Sequence, residues 1–212
     1  MSNQRTLAID CATAACSVAL FDGDTLIDGN FEVLGRGHAE RLVPMIAALP
    51  GSGRADRIAV ARGPGSFTGV RIGIAVARSL AYAWDAQLVG YSTMAMVAAM
   101  TRQRAGAKPV TVAMEGGHGE WFVQGFAPDG VALGEPASLR PEAAVAQHRL
   151  AVVAGTVAED FVALAGDGTA HALYSDARAF PALPPFALTP DTAPIYGRAP
   201  DAQKPAPAGG PT

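Results

Sequence analysis

An α/β protein of two similarly built lobes is predicted, and three observations predict it. Strand and helix patterns run β-β-β-α-β-α over the first half of the 212 residues and again over the second. An apolar strand, Ile58 to Ala61, runs into the glycine-rich loop Gly63-Pro64-Gly65-Ser66-Phe67-Thr68-Gly69, which opens a long helix. Half of the residues are hydrophobic, enough to build a substantial core at this length.

In the first half, Leu7 to Asp10, Ser17 to Phe21 and Leu26 to Val33 alternate or run apolar as strands, with Asp22-Gly23 as a hairpin turn. Gly35-Arg36-Gly37 breaks the sheet. Ala39 to Leu49 has helical spacing, with Leu42, Met45, Ile46 and Leu49 on one face; Pro44, read as near the first turn, is tolerated there or kinks the helix. Ile58 to Ala61 is the fourth strand, Thr68 to Trp84 a helix, Leu88 to Tyr91 the strand after it, and Ser92 to Arg104 another helix. Beyond Gly106 the order returns: strands Val110 to Met114, Glu120 to Ala127 and Val131 to Leu133, helix Glu142 to His148, strand Ala151 to Ala154, helix Val157 to Leu164. The repetition is one of topology, without a sequence repeat. Nine of the sixteen prolines fall after residue 180, a density that blocks regular structure. Lobes are therefore expected over 1–105 and 106–197, with Ile195-Tyr196 docking on the body and a disordered Pro/Gly/Ala-rich tail over 198–212.

The doubled order, with Asp10 ending the first strand, matches the actin-like (ASKHA, ribonuclease H-like) fold. In that fold a carboxylate at this place can hold a metal-bound water near phosphates; an acid facing solvent is the simpler reading, and both stand. The start of a helix carries unpaired N–H groups and partial positive charge, so Asp10, Gly63, Gly65, Ser66, Thr68 and Arg71 form a candidate nucleotide or anion site. The loop nevertheless fails both common nucleotide fingerprints. Val70 and Arg71 stand where the Walker pattern needs Lys and Ser or Thr, and three residues rather than two separate Gly65 from Gly69. A tight strand-to-helix turn is the competing reading.

Net charge of −3 excludes a free-standing nucleic-acid binder that relies on a basic surface. Arg102, Arg104 and Lys108 are read as a solvated helix end. His38, His118, His148 and His171 lack helical metal-ligand spacing, so no metal site is expected and a metallopeptidase finds little support; His38, beside Glu40 and Arg41, is read as a capping or interface residue. Cys11 and Cys16 can face each other across a turn. With no signal sequence and no apolar run of spanning length, a cytoplasmic setting without membrane contact is expected, where both thiols stay reduced as small buried hydrophobes. Along the long helix Gly69, Gly73, Ala77 and Ala81 recur every four residues beside Ile72, Val76, Leu80 and Trp84. One face belongs in the monomer core; a small-residue stripe on a second apolar face suits a partner helix, with Ala39 to Leu49 as its neighbour.

Leu7-Ala8-Ile9-Asp10, His38-Ala39-Glu40-Arg41-Leu42-Val43-Pro44 and Gly63-Pro64-Gly65-Ser66-Phe67-Thr68-Gly69-Val70-Arg71-Ile72-Gly73 together closely resemble the TsaB (YeaZ) family, bacterial accessory proteins of tRNA threonylcarbamoyladenosine synthesis; Pro194-Ile195-Tyr196-Gly197-Arg198 looks like its C-terminal signature. The resemblance implies a non-catalytic scaffold with no cofactor of its own. It implies pairing with the catalytic paralogue TsaD, whose histidine-bound metal site transfers the threonylcarbamoyl group to adenosine 37, and the ATPase TsaE joins that pair. It further implies homodimers of the isolated chain, tRNA contact only through the complex, and ATP or ADP near the subunit junction. The interface it implies comprises His38, Glu40, Arg41, Met45, Gly69, Ile72, Gly73, Val76, Ala77 and Leu80, so Gly73→Leu is expected to abolish pairing and spare the monomer fold. One departure stands out: Glu115-Gly116-Gly117-His118 replaces the family's Asp-Ala-Arg, so the arginine's contact is lost or passes to His118, or the segment is a simple turn. A stand-alone actin-like phosphotransferase is the alternative function; Asp10 and the loop suit it, the short chain does not.

Overall fold

The computed structural model describes residues 4–197. The tail expected over 198–212 lies outside the described residues, as does Arg198 of the C-terminal signature.

The first sheet begins with β1 (Arg5–Asp10), β2 (Ala15–Asp22) and β3 (Thr25–Val33), an antiparallel meander. Its first hairpin places Cys11 and Cys16 side by side, both buried free thiols hydrogen-bonded Sγ to Sγ at 3.4 Å. The second turn closes with Asp22 opposite Thr25, so the loop is Gly23-Asp24, one residue beyond the expected pair, with Gly23 at φ 57°. Helix α1 (His38–Ala47) then crosses to β4 (Arg57–Ala61), and α2 (Phe67–Trp84) to β5 (Gln87–Tyr91), both strands parallel to β1. Pro44 sits in the second turn of α1, not the first, and the helix continues through it to donate the Ala48 N–H to the Pro44 carbonyl. Leu42, Met45 and Ile46 are buried as their spacing predicts.

Helix α3 (Thr93–Ala105), capped by the Ser92 side chain, leads into the second sheet. There β6 (Val110–Gly117), β7 (Glu120–Phe126) and β8 (Ala137–Leu139) form the meander, followed by α4 (Pro141–Gln147), β9 (Val152–Gly155), α5 (Ala158–Ala165) and β10 (Thr169–Ala172). The sheets read β11-β5-β4-β1-β2-β3 and β10-β9-β6-β7-β8, so apart from β11 (Leu188–Thr189) the two lobes share one strand order. That shared order is the actin-like duplication. Most of α3 is buried, Met94, Met96, Val97 and Met100 among it; it packs on β6, β7 and β9 and on the returning C-terminal segment.

Three expectations need correction. The third strand of the second lobe is Ala137–Leu139, not Val131 to Leu133: the latter folds back through Ala127 N–H to Val131 O and Leu133 N–H to Gly125 O, leaving Val131 and Leu133 exposed. Each lobe continues past β-β-β-α-β-α with a further strand: β5 in the first, where Leu88 to Tyr91 is read as a strand, and in the second β10, not expected because it lies in a Gly- and His-bearing stretch with little strand character. The segment 106–197 is not one lobe. After β10 the chain returns: a 3₁₀ segment, Ala177–Ala182, packs on β1, β2 and β3, and β11 pairs with β5.

Candidate functional site

Two surfaces collect the residues singled out in the sequence: the cleft between the lobes and the outer side of α1 and α2. The cleft encloses about 840 Å³. Ser66, Phe67 and Arg71 line it from the first lobe, Glu115, His118, Phe122 and Thr156 from the second, and Tyr196 from the C-terminal segment.

The glycine loop is shaped by its own chain. A Cβ at Gly65 would overlap the Ala12 carbonyl, and one at Gly69 the Cys11 carbonyl. Both glycines exist to let the start of α2 lie against the β1–β2 turn. Ser66 donates its N–H to Ala12 O (2.7 Å), and its Oγ caps α2 by accepting from Gly69 N–H (3.3 Å). Gly63, at φ 94°, passes under the Ile195 carbonyl. Carbonyl oxygens of the same chain thus take the space that a Cβ would need at Gly63, Gly65 and Gly69. Thr68 is exposed on the first turn of α2. Arg71 lies over the Phe67 ring, 3.5 Å from its centroid, and donates from Nε and Nη2 to the Tyr196 hydroxyl (3.2 and 3.1 Å).

Asp10 does not reach the cleft. It is buried at the end of β1, its Oδ1 accepting from Ala12 N–H (3.0 Å) and its Oδ2 from the Ser175 hydroxyl. Burial pushes its pKa up to about 6; the bonds from Ser175 and Ala12 oppose that shift. The reading of Asp10 as an acid facing solvent is therefore corrected, and so is its grouping with Gly63, Gly65, Ser66, Thr68 and Arg71 as one anion site. A sequence does not reveal that the chain returns 165 residues later to seal this carboxylate. Its neighbour Cys11 is a thiol held well above its ordinary range by the hydrogen bond its S–H donates to Cys16 Sγ and by burial, consistent with an inert role.

The helix stripe also faces inward. Gly69 rests on Cys11, Gly73 faces Cys11, Val60 and Ile9, and Ala77 is fully buried. Small residues here admit the sheet of the same lobe, not a partner helix, so Gly73→Leu would strike the core first. Met45 is buried too. His38 is buried under α1, its Nε2–H donated to Thr13 O (3.0 Å) with Ala15 O at 3.3 Å. It ties α1 to the β1–β2 turn. We expect His38→Leu to leave those carbonyls unpaired and to lower stability by about 1–2 kcal/mol, read as a lower urea midpoint. The outer side remains. Glu40 is exposed, Arg41 pairs with Glu32, and Ile72, Val76 and Leu80 are half-buried along the flank of α2. Beyond them Val43, Ala47 and Ala75 are exposed, and Tyr82 projects with 93% of its surface free.

The Glu115-Gly116-Gly117-His118 segment is the end of the β6–β7 hairpin. Gly117 pairs with Glu120 around the two-residue loop His118-Gly119, both at positive φ. Glu115 N–H is held by Thr156 Oγ1 (2.9 Å), and His118 lines the cleft. Sequence reasoning missed Arg62 and Arg78, which grip residues 191–193; the proline-broken C-terminal motif marked that segment without showing what holds it. Among the described residues no three His, Cys, Asp or Glu side chains cluster to hold a metal ion, and no helix is long and apolar enough to cross a membrane.

Comparison with known proteins adds the following. A family model described as "TsaD: tRNA N6-adenosine threonylcarbamoyltransferase" matches residues 32–152. The tRNA threonylcarbamoyladenosine biosynthesis protein TsaB of Escherichia coli is 40% identical over 147 residues, 65% of this chain and 63% of that protein. The protein of the same name from Haemophilus influenzae is 41% identical over 103 residues, 46% of this chain and 43% of that one. The chain thus matches less than two thirds of the length of these curated relatives. The solved structure of YeaZ from Pseudomonas aeruginosa superposes with a TM-score of 0.76 at 30% identity, covering 91% of this chain and 99% of that one.

Proposed function

The chain belongs to the TsaB (YeaZ) family of tRNA threonylcarbamoyladenosine biosynthesis proteins, and from that premise we propose that it serves as a non-catalytic scaffold of the modification machinery. In this reading it holds a TsaD-type catalytic paralogue, a TsaE-type ATPase joins the pair, and tRNA meets the chain only within that assembly. Without the paralogue, a second copy of the chain takes the same surface.

The observation that carries this reading is the outer side of α1 and α2. Val43, Ala47, Ala75 and Tyr82 stand exposed on two helices packed against each other, apolar positions that the cores of the chain do not use. The cleft supports the same reading from the other side. Glycines of its loop make room for the chain's own carbonyls and Asp10 is sealed behind Ser175, so both elements serve the packing of the fold.

The test is pairing with the purified catalytic paralogue. Val43→Glu together with Ala75→Glu places two charges on exposed positions that the monomer core does not use. We expect at least a tenfold loss of affinity by titration calorimetry, about 1.4 kcal/mol, with an unchanged circular dichroism spectrum. Pairing at full affinity by the folded double variant would reject this surface.

A further inference from the structure

The last described residues are held with unusual care. Three arginines grip them in turn. Arg62 donates to Asp191 Oδ2 (2.8 Å) and Ala193 O (2.9 Å), Arg78 to Thr192 O (3.1 Å), and Arg71 to the Tyr196 hydroxyl. Ile195 N–H adds a bond to Arg62 O (2.7 Å). Glycines clear the path: a Cβ at Gly90 would lie 2.8 Å from Asp191 O, and one at Gly63 2.8 Å from Ile195 O, nearer than side chains approach oxygen. The segment runs from β11 on the first sheet, across the start of α2, to the mouth of the cleft. There a Cβ on Gly197 would lie 2.5 and 2.6 Å from the Phe122 ring of the second lobe and 3.2 Å from Pro64 of the first. Gly197 therefore fills the seam between the lobes with no room to spare.

We propose that residues 191–197 are a clasp that holds the two lobes together over the cleft, with Tyr196-Gly197 as its releasable end. The two ends differ in the required way. Thr192 is buried and accepts three hydrogen bonds from Arg78, whereas Tyr196 is half-exposed and held by one hydroxyl and by ring contact with Phe67. Fraying begins at the cleft and stops at Thr192. Arg71 and Arg78 both stand on α2, so the clasp couples the separation of the lobes to the helix that carries the outer apolar surface. The clasp goes beyond the pairing reading and does not depend on it.

Electron–electron distance measurements on the full chain test the clasp without any partner. Spin labels go on Ala48→Cys in the first lobe and Ala146→Cys in the second, both exposed, while Cys11 and Cys16 are buried. The parent is expected to give one narrow distance. Gly197→Val, which wedges the seam, is expected to add a second, longer population. Tyr196→Phe, which removes only the hydroxyl held by Arg71, is expected to broaden the distribution in the same direction. If Gly197→Val does not fold, the half-exposed Tyr196→Phe decides alone. A distribution identical to the parent's in a folded variant overturns the clasp.

Discussion

Gly69→Ala will destabilise the chain by about 2 kcal/mol, whereas Gly73→Ala, one turn further along the same face of the same helix, will not. In an exposed helix either change gains up to about 1 kcal/mol, because alanine loses less backbone entropy than glycine on ordering. At Gly69 that gain is outweighed. The new Cβ would overlap the Cys11 carbonyl oxygen, a backbone atom in a buried turn that α1 and α2 both press upon, so it cannot rotate aside. Overpacking against a fixed neighbour costs about 3 kcal/mol, the upper end of its usual range. At Gly73 the Cβ would meet Cys11 Cβ at 3.6 Å, Val60 at 3.7 Å and Ile9 at 3.9 Å, ordinary contact distances, so the propensity gain survives. Urea denaturation followed by circular dichroism separates the two: the midpoint falls for Gly69→Ala and holds or rises for Gly73→Ala. Equal midpoints would show that α2 does not sit on the β1–β2 turn as described.

This pair of glycines shows what the sequence can and cannot tell. Their spacing announces a close approach, and α2 appears within one residue of its expected start. Spacing cannot say which body approaches. A partner helix and the chain's own sheet leave the same four-residue rhythm, and only the β1–β2 turn, almost sixty residues earlier in sequence, settles the matter. The doubled strand order was legible because it rests on local alternation and turn residues. The return of residues 177–189 to the first lobe was not, since β11 spans two residues and its partner β5 lies almost one hundred residues earlier. For the candidate site the outcome divides the same way. Arg71 and Ser66 reach the cleft because they flank a loop whose shape is local, while Asp10 was misplaced because Ser175 covers it from a distant segment. His38 carries no sequence mark of a buried tether, because the carbonyls of Thr13 and Ala15 that it bonds lie more than twenty residues earlier.

Asp10→Asn is expected to stabilise the chain at neutral pH and to do so in a pH-dependent way that no repacking effect reproduces. The carboxyl ionises near 3.8 when the chain is unfolded and near 6 when it is folded, because burial disfavours the charge more than the Ser175 and Ala12 bonds favour it. The folded state therefore binds more proton than the unfolded state between those values, and stability falls as pH rises through them. Below about pH 3 the side chain is neutral in both states and its burial costs no charge. Above about pH 7 the full penalty applies, about 3 kcal/mol at 1.36 kcal/mol for each of roughly two pKa units. Asparagine keeps an acceptor for Ala12 N–H and turns its other group toward the Ser175 oxygen, which accepts, so the local bonds persist while proton linkage vanishes. The informative quantity is the difference between variant and parent, since titration of other carboxylates cancels in it. Denaturation at several pH values should show that difference rising by about 2 kcal/mol from pH 4 to pH 7 and nearly flat beyond. A constant difference across that interval would mean that Asp10 is not sealed from water, and the cleft would regain a carboxylate available to a ligand.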